Sequence, residues 1–303
     1  MSGADALQAA LQQPFMQRAL VGGLLTGCLG GLLGSFAVLR QLSFFSDALG
    51  HSALLGVSIA VLLNLNPTLV LIPFAVLFAL LVNQLVQRSR LPTDALLNIV
   101  YSSSLAFAVV ALSLVETYRG GIQQLLFGDI LGISWFDLWV IAGLLVLALG
   151  YLIVSLRAQV LLTLDDDLAG AFGVRIQAHR LAFIILLAVV VAVSIKAVGV
   201  LLISAFVVIP ACASRLVSRR LPLYLLGSVL LGGVCALLGL LGSGLTNLPS
   251  GPCVVIVQFT GFLLALLVSQ WRQAPGIRRP GPPHGLAPGA APGNPPAGTA
   301  GAG

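Results

Sequence analysis

Asp47 and His51 stand four residues apart in FFSDALGHSALLG, a spacing that puts a carboxylate and an imidazole on one face of a helix. An oxygen and an imidazole nitrogen presented together replace part of a cation's hydration shell. The mixture suits zinc, manganese or iron better than sodium or potassium. The same spacing also fits a structural hydrogen bond from imidazole to carboxylate that merely stabilises packing, and both readings stay open. Two ligands do not make a site, but a symmetric dimer would gather two such pairs around an axis and supply four.

The remaining polar positions offer less. Asp94, after Pro92 and Thr93, fits the first turn of a helix, with capping as the simpler role. Tyr101, Ser102, Ser103 and Ser104 form a hydroxyl cluster of the kind that ties helices together or lines a path. Lys196, the only lysine, is expected to snorkel to an interface with no part in transport, and His179 beside Arg180 is expected to be interfacial. Asn247, Pro249, Ser250 and Gly251 read as a helix start or short re-entrant turn. The four cysteines (Cys28, Cys212, Cys235, Cys253) lie in apolar stretches without a CxxC spacing and read as packing residues. No catalytic residue is assigned. Walker A needs a lysine after glycine, whereas Lys196 follows Ile195, and HExxH is absent, so the chain is expected to be no enzyme.

The elements that must position Asp47 and His51 follow from composition. Of 303 residues, 58% are hydrophobic and only 8% charged, against roughly 25% charged in soluble domains. That excess of apolar surface points to a polytopic all-α membrane bundle. Nine candidate spans fall near residues 17 to 39, 46 to 65, 67 to 87, 94 to 115, 135 to 156, 180 to 196, 198 to 214, 222 to 243 and 251 to 271. The count drops to eight if the abutting stretches around Ile195 and Val198 form a broken helix. Counting about 1.5 Å per residue from Arg40 at the inner surface puts Asp47 about 10 Å deep and His51 about 16 Å, near mid-bilayer.

The fourteen Arg and one Lys are spread among loops, which argues for topology rather than nucleic-acid binding. Arginines after the third, fifth, seventh and ninth candidate spans set those regions inside, with the C-terminus cytoplasmic and the loop from Glu116 to Ser134 outside despite Arg119. Asp5, with no basic run before it, does not suggest a cleaved signal peptide. Gly23, Gly27 and Gly31 recur every four residues, a helix-packing signal in lipid. LTLDDDLAGAFGVRIQAHRL reads as a short amphipathic helix stopped at Gly173, with Asp165 to Asp167 at its N-terminus. The organisation is therefore an N-terminal segment (1–16), a transmembrane domain (17–271) and a Pro/Gly/Ala-rich tail (272–303). The tail carries His284 and is expected to be disordered.

Several blocks in order, among them LGSFAVLRQLSFFSDALGHSALLGV, LPTDALLNIVYSSSLAF, LLFGDILGIS and KAVGVLLISAFVVIPACASRL, resemble the permease subunits of manganese/zinc/iron-type ABC importers. The resemblance runs from about Gly34 to Gln270. It implies a type II ABC importer permease fold of 8 to 9 transmembrane helices in a bacterial inner membrane, working as a homodimer. It also implies an ATP-binding cassette ATPase subunit under each copy and an extracytoplasmic metal-binding protein delivering zinc, manganese or iron, with zinc slightly favoured. No permanently bound cofactor is expected, and the partners are these proteins and membrane lipid. Asp47 and His51 match the family's metal-pathway positions, and Asp167, Leu168, Ala169, Gly170 and Gly173 match the region that couples to the ATPase. Leu55 stands where many members have proline, and Tyr101 where some zinc-type members have histidine. A secondary cation transporter or channel, and export or the import of bulkier chelates by a related fold, remain as rivals.

Overall fold

The computed structural model describes residues 13–89, 91–113, 126–246 and 248–273. The tail from residue 274, with His284, and the expectations for Asn247 and for most of the loop after Glu116 fall outside them. Every regular element among the described residues is a helix. In chain order they are α1 (Pro14–Leu39), α2 (Phe45–Leu62), α3 (Pro67–Arg88), α4 (Thr93–Ser113), α5 (Trp135–Leu164), α6 (Asp166–Ala171), α7 (Ile176–Val198), α8 (Ile203–Val217), α9 (Leu221–Thr246) and α10 (Ser250–Gln273). Eight of these are long and apolar enough to cross a membrane. The seventh candidate span, 198 to 214, falls on α8, whose 15 residues rise about 22 Å, short of a full hydrocarbon thickness of roughly 30 Å.

The reason for the short helix lies at its start. Gly199 ends α7 with φ +90°, in a region that only glycine occupies freely, and the chain turns through Val200 to Leu202 before α8 begins. Residues 126–133 fold against this break. Leu201 N–H donates to the Leu126 carbonyl (3.1 Å), and Asp129 N–H donates to the Lys196 carbonyl (3.1 Å). Gly128, also at positive φ, meets Gly199 backbone to backbone, so a side chain on either glycine would collide with main-chain atoms. Non-helical backbone is tolerated here because protein, not lipid, satisfies it.

The centre of the bundle is α1, opened by Pro14 in its first turn. A Cβ on Gly27 or Gly31 would strike the backbone of α9 at Gly232 or Ser228, and one on Gly23 would strike the Leu240 side chain. A Cβ on Gly30 would stand 2.5 Å from the Phe206 carbonyl of α8. These close approaches let Ser228 Oγ donate to the Gly31 carbonyl (2.6 Å) and Tyr224 Oη to the Ser35 carbonyl (2.9 Å). Phe36, Phe45, Phe183, Phe206 and Leu187 fill the fully buried interior. The bundle has a basic end, where α1, α3, α5, α8 and α10 finish. Arg40, Arg88, Arg175, Arg180, Arg215 and Arg272 gather there.

Candidate metal pathway and coupling segment

Asp47 and His51 are positioned by a five-residue turn between α1 and α2. Leu42 N–H reaches back to the Ala37 carbonyl (2.8 Å), Gln41 takes a left-handed φ of 57°, and Phe45 N–H bonds the Leu42 carbonyl (3.0 Å). Asp47 therefore sits in the first turn of α2. The depth expected from sequence ran helical rise straight through this turn. Measured from Phe45, Asp47 is about 3 Å along the helix and His51 about 9 Å.

The two side chains share a face, with Asp47 Oδ1 and His51 Nε2 3.7 Å apart. That separation is too long for a hydrogen bond, so the purely structural imidazole to carboxylate bond is not made. Both groups remain partly accessible, at 28% for Asp47 and 18% for His51. The Tyr101 ring on α4 stands edge-on to the imidazole, with centroids 5.0 Å apart, and Phe44 stands edge-on to Tyr101 in turn. Of the hydroxyl cluster, Ser102 donates to Asn98 Oδ1 on its own helix (3.3 Å).

Beside Asp47 opens a cavity of about 890 Å³ lined by Gln41, Ser43, Asp47, Asp94, Ser204 and Arg215 together with apolar residues of α1 and α8. Asp94, read from sequence as a cap, turns its side chain into this shared space from the first turn of α4. Arg215, read only as a topology signal, is part of the same wall. Neither role has a local sequence signal, because α1, α2, α4 and α8 meet only through tertiary packing. Among the described residues, no three His, Cys, Asp or Glu side chains converge closely enough to hold an ion. One chain thus offers a carboxylate–imidazole pair and a second carboxylate, Asp94, across a cavity.

Lys196, expected to snorkel to an interface, has a partner there: Nζ lies 2.8 and 2.7 Å from the two carboxylate oxygens of Asp137, at the end of the bundle opposite the arginines. Asp137 is already fixed as part of a capping box, accepting from Ser134 N–H (2.9 Å) and Oγ (2.6 Å) while its own N–H donates to Ser134 Oγ (3.2 Å). The pair ties the start of α5 to the end of α7.

At the basic end, Asp165 caps α6 by accepting from Asp167 N–H (2.7 Å) and Leu168 N–H (3.1 Å). Gly173, at φ +75°, stops the turn. Ala169 is buried against the bundle, whereas Leu168 and Phe172 are exposed. Gly170 has only Ile176 near an added Cβ and Gly173 has nothing. The arrangement presents an apolar, small-residue knob outside the membrane helices, with Arg157 over the Phe172 ring.

The profile of the ABC 3 transport family matches residues 12–269. A high-affinity zinc uptake system membrane protein of Haemophilus influenzae is 32% identical over 82% of this chain and 95% of its own. A manganese transport system membrane protein of Halalkalibacterium halodurans is 29% identical over 86% of this chain and 89% of its own, and a chelated iron transport system membrane protein of Yersinia pestis 30% over 84% and 85%. Among solved structures, PsaBC from Streptococcus pneumoniae in complex with Fab superposes with a TM-score of 0.78 at 24% identity, covering 89% of this chain and 98% of that one.

Proposed function

Because this chain belongs to the ABC 3 transport family, we propose that it is the membrane-spanning permease of an ATP-driven importer for a divalent transition metal, zinc, manganese or iron. Relatives named for all three metals are comparably similar to it. The permease domain is taken as residues 17–271, in a bacterial plasma membrane with the arginine-bearing end and the C-terminus inside.

The observation that carries the reading is the Asp47–His51 pair. A carboxylate and an imidazole at 3.7 Å are left without a bond to each other, in a membrane helix where unsatisfied ionisable groups are costly. Both keep lone pairs for an ion, and Asp47 opens onto the cavity that Asp94 also lines. A symmetric second copy would double the ligand set. In the proposed cycle an extracytoplasmic binding protein delivers the ion and the paired permeases pass it through His51 and Asp47. ATP-driven closure of ATPase subunits beneath the Asp167–Gly173 knob then rocks the bundle, and the ion leaves by the inner cavity.

Metal uptake by cells expressing the assembled transporter tests this. Asp47→Ala and His51→Ala should each abolish accumulation of zinc, manganese and iron while the chain still co-purifies with its ATPase. Accumulation at the wild-type rate removes the pair from the pathway. Uptake that persists when the ATPase cannot hydrolyse ATP favours a secondary transporter instead.

A further inference from the structure

A second cavity, of about 380 Å³, lies at the basic end between α1, α3, α5, α6 and α7, away from Asp47. Its lining mixes two kinds of chemistry: apolar Leu42, Val86, Leu162 and Ile184, and polar or charged Arg40, Asn83, Thr163, Asp165, Asp166 and Arg180.

Two of these polar groups are incomplete. Asn83 is more than nine-tenths buried, at 9% exposure, yet its Oδ1 accepts no hydrogen bond. Arg40 Nε is buried without an acceptor, although the guanidinium donates to the carbonyl and Oε1 of Gln159 and lies 4.7 Å over the Phe183 ring. Among the described residues no carboxylate stands within ion-pair distance of Arg40, whereas Arg180 is paired with Asp166. Burial lowers the Arg40 pKa to about 10, which still leaves it charged at neutral pH. An unpaired buried charge and an unfilled buried acceptor each cost free energy unless something satisfies them.

We propose that this cavity binds the headgroup of an aminophospholipid, with the phosphate on Arg40 and the ammonium toward Asn83 Oδ1 and the Asp165 side. A phosphate supplies the missing acceptor for Arg40 Nε and the missing counter-charge. The ammonium supplies the donor that Asn83 lacks. The apolar lining residues receive the glycerol and the start of the acyl chains, the arrangement expected of headgroup pockets between membrane helices. Free phosphate shares the anionic half of this chemistry, but it has no donor for Asn83 and a larger negative charge to set beside Asp165 and Asp166. Phosphatidylglycerol lacks the ammonium, and the methylated ammonium of phosphatidylcholine cannot donate. Because α6 and its cap at Asp165 form part of the wall, a bound headgroup would brace the exposed knob from behind. The inference is independent of which ion the bundle carries.

Native mass spectrometry of the full-length chain tests the site, with phosphatidylethanolamine, phosphatidylglycerol and phosphatidylcholine offered in turn and inorganic phosphate as a separate arm. Wild type should retain phosphatidylethanolamine about tenfold better than the other two lipids, and Asn83→Leu and Arg40→Lys should each erase that preference. Asn83→Leu substitutes an apolar side chain in a membrane helix, so it reports even if Arg40→Lys fails to fold. Equal retention of the three lipids, or an unchanged preference in Asn83→Leu, overturns the proposal. Stabilisation of delipidated chain by inorganic phosphate, with none from phosphatidylethanolamine, overturns the lipid as the source of the phosphate.

Discussion

Asp137 and Asp47 are both carboxylates in the first turn of a membrane helix, at opposite ends of the bundle, and they are used in opposite ways. Asp137 is saturated: the Ser134 hydroxyl and amide and the Lys196 ammonium all bind it. Among the described residues, the one ionisable group within ion-pair distance of Asp47 is His51, at a separation where no hydrogen bond forms. The difference teaches how to separate structural charge from functional charge in a membrane protein. The insertion cost is similar in kind for both, but only the unsaturated group has capacity left for a ligand.

The largest test of this contrast is transport. Asp47→Ala should reduce metal accumulation by at least the ~10- to 100-fold that even outer-sphere changes at metal sites cost, while Asp137→Ala should leave the rate per folded transporter near wild type. If Asp137→Ala proves equally inactive while fully folded, the contrast is lost. Next in size is the backbone that frames the saturated end. Gly199→Ala forces a side chain into a conformation that costs roughly 1–3 kcal/mol and into contact with the backbone near Gly128. Its thermal transition in detergent should fall clearly below wild type. A smaller effect comes from the ion pair itself. A double-mutant cycle of Asp137→Asn and Lys196→Met should return about 1 kcal/mol or less of coupling, because the lysine is nearly half exposed and solvent screens the pair. The smallest change is expected from Tyr101→Phe, which keeps the edge-on ring against His51 and should leave uptake within about twofold. A large loss would make the hydroxyl a ligand and sharpen the site to three groups.

The sequence makes some of this legible and hides the rest for identifiable reasons. Hydropathy locates the long helices within a few residues, because each span must be apolar on its own; the exception is the end of α5, expected near 156 but running on to Leu164. The acidic start and glycine stop of α6 are readable for the same local reason: Asp165 caps its own helix and Gly173 ends it. The broken α7–α8 junction is visible only as two abutting apolar runs, and the geometry that makes α8 short depends on Gly128, far back in the chain. The turn at Gln41 escapes because a positive φ at a non-glycine residue carries no dependable signal. Asp94 and Arg215 reach the same cavity from separate helices, and Lys196 finds its partner 59 residues away. No local spacing rule reports such meetings.

The order of these contacts along the chain has a consequence for biogenesis. Residues 126–133 and the start of α5 emerge from the ribosome well before the carbonyl of Lys196 and the amide of Leu201 that complete their bonding. Until α7 and the break at Gly199 are made, that stretch can pack only on α1, where Ile130 and Ile133 stand against Gly23 and Gly22, so its backbone bonds to the α7–α8 junction must close late in assembly. A chain truncated before Gly199 should insert its early helices and still leave this face unsealed.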